Sequence, residues 1–388
     1  MTSRSWPRAL FLRSAAFLIG LAVAALGAEV VARVLEDRRS AERPRSPRLA
    51  LFDPNPHGSG SFRLKPNLRL TAEVEGRTIA VETNSSGMRW RETQVAKPEG
   101  VRRIAVLGDS FAFGCWSSTI ETSFVGWLDR RVGTSRIEVL NFGVGGYGFE
   151  DELLLLREEV LKFEPDDILI VSYNGNDIRD SFLDTTRYVV KDGAAELADD
   201  ALESRVPEPL RTAPYVNPQP RAPTGLLGLA WRSAFLRLAL RVTDRDPPYL
   251  DFEVSQRFTS YSFWSQTPYP PVAQSALQRA TGLLDDLRLE AEKGGARFHL
   301  AAIPTAEQVY AIHPAGPGFD IRLPQAFLAS WAKERDVPFL DLLPVLRETA
   351  RSSGRRPYLR YDVHFNDFGH AVVGEAMASW MQSASKQP

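Results

Sequence analysis

The stretch Arg103–Gly114, RIAVLGDSFAFG, joins a short apolar run to a small polar turn. The run Ile104–Leu107 has the length and composition of a buried β-strand, and a glycine ends it. Ser110 follows at the exit of that strand. An isolated Gly-Asp-Ser tripeptide favours a serine that caps the next helix. A serine at the carboxyl edge of a sheet is also where open α/β folds place their functional sites, so the rest of the chain decides.

Four more apolar runs follow the first, and helical patterns separate most of them. The strands are predicted over Ile137–Leu140, Ile168–Val171, Phe298–Ile303 and Pro338–Leu340, and helices over Asp151–Phe163, Val272–Lys293 and about 368–381. Short apolar strands that alternate with helices predict a parallel sheet covered on both faces. The sequence therefore indicates an α/β fold.

The composition is that of a globular protein: of 388 residues, 44% are hydrophobic and 24% charged, with a net charge of −1. This balance gives no electrostatic argument for binding nucleic acid. Cys115 is the only cysteine, and we interpret it as a small buried residue rather than a nucleophile. The five histidines do not pair at metal-ligand spacing, so no metal or cofactor is expected. His370 is predicted to pack or cap within the last helix.

The N-terminal segment has the pattern of a membrane anchor. Three arginines among the first 13 residues precede the apolar stretch Ser14–Ala32, which as a helix spans roughly 28 Å. Basic residues ahead of it favour an N-terminus in the cytoplasm and a chain that continues outside it. A signal peptide cleaved near Ala25–Gly27 is the alternative, which would give a secreted protein. Apolar residues continue to Leu35, which favours the uncleaved single-pass anchor.

The rest of the chain divides by composition. We predict an anchor or signal over 1–36, a linker over 37–50, a small β-region over 51–100 with a hairpin near Glu75, and a main domain over 101–382 with an insertion at about 181–271. Within the insertion, Gly225–Val242 has the pattern of an amphipathic helix. We expect its apolar side to pack on the main domain, and a lid over the site is the alternative.

Three other segments carry polar groups next to predicted elements. They are NFGVGGYG at Asn141–Gly148, YNGNDIRD at Tyr173–Asp180, and YDVHFNDFGH at Tyr361–His370. Glycines let a backbone N–H approach a bound oxygen closely, and an asparagine amide donates to an oxyanion. A histidine with a nearby carboxylate has the composition of a general base and its partner. Each segment alone also fits an ordinary turn or helix cap.

Taken together, these blocks resemble the SGNH (GDSL) hydrolase superfamily. GDSF, NFGVGGYG, GND and DVHFN stand in the family's order, and NSSGMRW at Asn84–Trp90 is similar to the membrane-anchored bacterial members. The resemblance covers about residues 101–180 and 296–382. It implies a flavodoxin-like three-layer sandwich with a mainly parallel five-stranded sheet.

The resemblance also implies a role for each matching residue. Ser110 is the expected nucleophile, and its backbone N–H is one donor of the oxyanion hole. Gly146 would supply a second backbone donor and Asn176 a side-chain donor. His364 is the expected base, and Asp362 is its expected acidic partner.

The chain departs from the family pattern at two positions. At a third, the residue that matches the family is not decided. Asp362 stands two residues before the histidine, whereas the common spacing is three, which here falls on Tyr361. Asn174 stands where the third block usually has glycine. Gly145 lies beside Gly146 and leaves the identity of the glycine donor open.

The expected activity is that of an extracytoplasmic serine ester hydrolase that works through an acyl-serine. Its substrate would be a small-molecule or glycan ester, with the acyl group carried by a carbohydrate or a lipid. An O-acyltransferase that modifies an extracytoplasmic polysaccharide would use the same residues. A non-catalytic binding domain on a hydrolase scaffold is the third alternative.

Overall fold

The computed structural model describes residues 6–41, 49–57, 62–134, 136–180, 188–197, 215–216, 233, 235, 265–269, 271–310, 313–314, 318, 320–359 and 362–384. The chain forms two compact units. One unit contains residues 1–45 and 218–250, and the other contains 46–217 and 251–388.

The first unit contains helix α1, Trp6–Ala41. Among the described residues, α1 is the one helix long and apolar enough to cross a membrane, over Phe11–Val34 with a mean hydropathy of 2.2. Within the same unit, the Glu29 carboxylate accepts hydrogen bonds from Ser233 Oγ at 2.7 Å and from the Phe235 backbone N–H at 3.1 Å. Apart from these two residues, the helix predicted over 225–242 lies outside the described residues.

Of the elements whose bounds the structure describes, the second unit contains the strands and all helices other than α1. The strands are β1 Phe52–Pro54, β2 Phe62–Leu64, β3 Arg69–Val74, β4 Arg77–Glu82, β5 Arg102–Gly108, β6 Ile137–Asn141, β7 Asp167–Tyr173, β8 Tyr188–Lys191, β9 Ala194–Leu197, β10 Tyr215–Val216, β11 Arg297–Ile303, β12 His313–Pro314 and β13 Phe339–Asp341. The helices are α2 Ser110–Phe113, α3 Phe124–Val132, α4 Phe149–Glu158, α5 Asp177–Asp180, α6 Pro271–Lys293, α7 Ala306–Tyr310, α8 Leu323–Glu334, α9 Leu343–Ser353 and α10 Asp367–Ala384, with a 3₁₀ turn at Val160–Phe163.

Five of these strands form the central parallel sheet, in the order β13-β11-β7-β5-β6. Every residue of β7 is buried, as expected for a strand covered on both faces. The chain moves outward from β5 to β6 and then back across the sheet to β7, β11 and β13. Because β-α-β crossovers are right-handed, this reversal places α3 and α4 on opposite faces. The α/β three-layer prediction is confirmed.

The reversal of strand order has a consequence for function. The connections from β5 and β7 run toward opposite edges of the sheet, which makes the carboxyl ends of these two neighbouring strands a topological switch point. Open α/β sheets bind their ligands at such a switch point. Ser110 follows β5, and Asn176 follows β7.

A small β-region precedes the sheet. Strands β3 and β4 form a hairpin in which Val74 pairs with Arg77. The two turn residues, Glu75 and Gly76, have φ of 48° and 75°, as a tight two-residue hairpin turn requires. Ile79 and Val81 of β4 are buried in the core that the β-region shares with the sheet. The hairpin therefore occurs where the alternating pattern and the glycine predicted it.

Candidate active site

Ser110 lies in the turn after β5, but a different residue caps helix α2. Asp109 is the N-cap of α2, and its Oδ1 accepts the Phe111 backbone N–H at 2.8 Å. A Cβ on Gly108 would lie 2.8 Å from the Val171 carbonyl oxygen, so only glycine allows this tight exit. The structural alternative for Ser110 is therefore wrong: Ser110 is the first residue of the helix, and its hydroxyl is not used as the cap.

Ser110, His364 and Asp362 form a continuous chain of hydrogen bonds. Ser110 Oγ lies 2.7 Å from His364 Nε2. On the other side of the ring, His364 Nδ1 contacts Asp362 Oδ1, which also accepts the His364 backbone N–H at 3.0 Å. With Nδ1–H donated to the carboxylate, Nε2 accepts the serine hydroxyl proton. The hydroxyl, imidazole and carboxylate are thus in the geometry that an activated serine requires.

The short Asp362-Val363-His364 spacing does not keep the carboxylate from the ring. The Asp362 side chain folds back onto its own loop, where Oδ1 accepts the hydrogen bond from the His364 backbone N–H. Asp side chains commonly bond the backbone two residues on. Asp362 Oδ2 accepts a hydrogen bond from the indole Nε1–H of Trp116 at 3.1 Å. Motif spacing alone did not indicate this tryptophan.

The surroundings of His364 favour its charged form. Burial alone would lower the pKa of the imidazole, but the Cys115 side chain and the Asp362 carboxylate beside the ring raise that pKa well above its ordinary value. The Phe111 ring lies with its centroid 5.0 Å from that of the imidazole. Cys115 is half-buried and lies next to the histidine. Our interpretation of Cys115 as a buried packing residue was therefore wrong about its burial.

This raised pKa gives a pH dependence with a defined direction. The imidazole accepts the serine proton only when it is neutral, so kcat/KM should fall as the pH drops through the pKa of His364. That acidic limb should have its midpoint above 6.5, the ordinary histidine value. Asp362→Ala should move the midpoint to lower pH, because the carboxylate no longer stabilises the imidazolium. A wild-type midpoint at or below 6.5 in a kcat/KM profile would contradict this.

The glycine-rich loop after β6 passes directly against the serine. A Cβ added to Gly145 would lie 3.8 Å from Ser110 Cβ, and Gly146 adopts a left-handed φ of 86°. Asn176 lies in the turn after β7, where its backbone N–H bonds the Tyr173 carbonyl at 3.3 Å. These positions suit the predicted donors, and their roles in an oxyanion hole stay predictions.

Asn174, the departure in the third block, has a structural use. It is fully buried, and its Nδ2 donates to Gln308 Oε1 at 2.9 Å. Its backbone N–H bonds the Ile303 carbonyl at 3.0 Å. The Asn174 side chain thus ties the end of β7 to helix α7, which follows β11, and a glycine has no side chain to make this contact.

His370 lies apart from this hydrogen-bond chain. Its Nδ1 accepts the Phe124 backbone N–H at 3.2 Å, and its Nε2 faces the Cys115 carbonyl at 3.4 Å. Burial is the main reason that the pKa of His370 is lowered to about 3, so the ring stays neutral. This neutral, buried ring accepts the first backbone N–H of α3, whose N-cap is Ser123, in line with the structural role predicted for it. Among the residues that the structure describes, no cluster of three or more His, Cys, Asp or Glu side chains could hold a metal ion.

A buried arginine from the NSSGMRW segment braces the turn that carries Ser110. Arg89 is 1% exposed, and its guanidinium donates to the carbonyl oxygens of Gly114, Ala80 and Ser117, the last two at 2.8 and 3.1 Å. Its guanidinium carbon also lies 5.0 Å from the centre of the Phe113 ring. Burial lowers the pKa of Arg89 to about 10, so it remains charged near neutral pH. The sequence marked the segment but not this function.

The fold and the hydrogen-bonded serine define a hydrolase of the α/β class, and the comparisons identify its family. The GDSL-like Lipase/Acylhydrolase family matches residues 106–321, more than half of the chain. The chain belongs to this family and to the SGNH superfamily, and it is a carboxylic ester hydrolase. The matched range includes Ser110, Gly146 and Asn176, whereas Asp362 and His364 lie beyond it.

Several solved structures are similar to this chain. A member of the lipolytic protein G-D-S-L family from Veillonella parvula DSM 2008 is 11% identical, with 74% of this chain and 100% of that chain covered and a TM-score of 0.39. A catalytic mutant of an acetylxylan esterase from Geobacillus stearothermophilus is 14% identical, with 72% and 94% covered and a TM-score of 0.38. A two-domain esterase active on acetylated mannans is 13% identical, with 74% and 50% covered and a TM-score of 0.40. A search of curated protein sequences finds no match.

Proposed function

We propose that this chain is an extracytoplasmic, membrane-anchored ester hydrolase that works through an acyl-serine on Ser110. The observation that carries the proposal is the 2.7 Å contact between Ser110 Oγ and His364 Nε2. It places a base within the proton-transfer distance of the hydroxyl. The substrate proposed is an acylated carbohydrate or lipid on the outer side of the membrane. Release of acid from acylated polysaccharide and from a lipid ester, each compared with Ser110→Ala, tests the two substrate classes.

The reaction begins with His364 Nε2 taking the hydroxyl proton as Ser110 Oγ attacks the ester carbonyl. The negative charge on the former carbonyl oxygen is held by the backbone N–H groups of Ser110 and Gly146 and by the Asn176 side-chain amide. His364 then gives its proton to the leaving alkoxide, and the acyl group stays on Ser110 Oγ. Water attacks this acyl-serine with His364 again as base, which releases the acid and restores the hydroxyl. Asp362 stabilises the imidazolium in both halves.

Asn176→Ala tests the proposed oxyanion hole. Removal of one such donor should lower kcat by a factor on the order of 10² to 10³, because the donor is aimed at charge that develops only in the transition state. KM should change little. Gln274→Ala is the control, because the Gln274 side chain is exposed and donates to the Tyr269 carbonyl. An unchanged kcat in Asn176→Ala on p-nitrophenyl acetate would remove this residue from the mechanism.

The proposed anchor is α1, whose apolar residues Phe11–Val34 are exposed in the folded chain. An exposed apolar helix of this length is stable in a bilayer and costly in water. We expect the full chain to remain with the membrane after alkaline carbonate washing. The domain should also be digested by protease added to spheroplasts, because basic residues hold the N-terminus inside. A full chain released by carbonate, or a domain protected in intact spheroplasts, would contradict the anchor or its orientation.

A further inference from the structure

Trp116 bridges the loop after the nucleophile helix to the loop that carries the proposed base. Its indole Nε1–H donates to Asp362 Oδ2 at 3.1 Å, across 246 positions of sequence. The tryptophan is 8% exposed, so water competes little for this hydrogen bond. Asp362 Oδ1 serves His364, and Oδ2 serves Trp116.

The backbone of Trp116 is held in an unusual conformation. Its φ is 63°, in the left-handed region that bulky residues rarely adopt. Such a conformation is strained and persists only where the surroundings impose it. The Trp116 carbonyl accepts Arg77 Nη2 at 3.2 Å, and Arg77 Nη1 pairs with Asp367 at 3.2 Å. On the other side of the loop, the Ser117 backbone N–H bonds the Gly114 carbonyl at 3.0 Å.

We propose that Trp116 is a positioning residue, which fixes the Asp362 carboxylate so that it orients His364. The proposal rests on the hydrolytic function proposed above. Only Val363 separates the acid from the base, and Asp362 Oδ1 is engaged by the backbone and the ring of the same short loop. The indole contacts the other carboxylate oxygen from outside that loop, and it opposes rotation of the carboxylate away from the imidazole. Trp116 thereby stabilises the orientation of the Asp362 carboxylate, although Asp362 stands closer to the histidine than the common family spacing.

Trp116→Phe removes the N–H and keeps most of the buried ring. We expect kcat on p-nitrophenyl acetate to fall on the order of tenfold, the value of one hydrogen bond to a charged group. KM should be unchanged, because the indole acts on the acid and not on the substrate. In an Asp362→Ala background the same change should cause no further loss, since the group it positions is gone.

Trp331→Phe is the matched control. Trp331 is also buried, and its indole donates to a carboxylate, Asp285 Oδ1, at 3.2 Å, but between α6 and α8. Its kcat should be that of the wild type. Trp116→Phe with wild-type kcat, or with the same fold loss in the Asp362→Ala background, would overturn the positioning role. An Asp362→Ala chain with wild-type kcat would instead overturn the proposed triad.

A second measurement does not depend on the folding of Trp116→Phe. In the full chain labelled with ¹⁵N-tryptophan, Asp362→Ala should move one indole N–H resonance upfield, because that proton loses its carboxylate acceptor. The resonance that Trp331→Phe removes should stay in place. If no indole resonance moves in Asp362→Ala, the hydrogen bond is absent and the proposal fails.

Discussion

Ser110→Ala should lower kcat on p-nitrophenyl acetate by a factor on the order of 10⁴ to 10⁶. In the proposed mechanism the hydroxyl oxygen of Ser110 forms the acyl bond, and among the described residues it is the hydroxyl that lies against the His364 imidazole. The remaining rate should be that of ester hydrolysis assisted only by the oxyanion donors, without the serine nucleophile. Initial rates at saturating ester, measured on protein purified free of contaminating esterases, give the size of this loss.

Ser172→Ala is the control for the serine substitution. Ser172 is fully buried in β7, and within the described residues its Oγ has no hydrogen-bond partner. Removing that hydroxyl should leave kcat within about twofold, as expected for a substitution that breaks no hydrogen bond. If Ser110→Ala retained more than a hundredth of the wild-type rate, on the order of the effect of one oxyanion donor, Ser110 would not be the nucleophile.

Arg89→Ala should lower the free energy of unfolding by about 3 to 5 kcal/mol, because several buried carbonyl oxygens lose their donor at about 1–3 kcal/mol each. The affected carbonyls are those of Gly114, Ala80 and Ser117, so the loss falls on the turn behind Ser110. The alkyl part of the side chain also leaves a cavity in the packing. Urea unfolding followed by circular dichroism measures the change.

Arg91→Ala is the matched comparison, two residues along the same segment. Arg91 is 48% exposed in its side chain and pairs with Asp129 at 2.7 Å. Exposed pairs of this kind contribute less than about 1 kcal/mol. Equal losses in the two variants would mean that burial of the Arg89 guanidinium does not matter to the fold.

The sheet was predictable from the sequence because its strands are buried on both faces. Such strands are short continuous apolar runs, and each predicted run lies within or next to an observed strand, as Ile168–Val171 lies within β7. Helices α8 and α9 were not predicted. Leu323–Glu334 follows a loop without a capping side chain, and its N-cap residue Arg322 makes no capping hydrogen bond. A helix without a polar start signal is hard to recognise from local pattern alone.

The sequence motifs that carry the candidate site could be predicted, but the residues that hold those motifs in place could not. Ser110 and His364 lie in short sequence motifs, GDSF and DVHFN, that can be recognised without knowing the fold. Trp116 reaches Asp362 across 246 positions, and Arg89 reaches the Gly114 carbonyl across 25. Contacts of this kind depend on how the chain returns to the same place, which no spacing rule encodes. The burial of Cys115 was misjudged for the same reason.

The most direct test of the account is to locate the adduct of a fluorophosphonate probe on the full-length chain. Such probes phosphonylate a serine that a neighbouring base has activated, so they report the Ser110–His364 contact. Peptide mass mapping should find the adduct on the peptide that contains Ser110, and labelling should be lost in both Ser110→Ala and His364→Ala. An adduct on another residue, or no adduct where a control serine esterase is fully labelled, would contradict the assignment of Ser110 as the nucleophile.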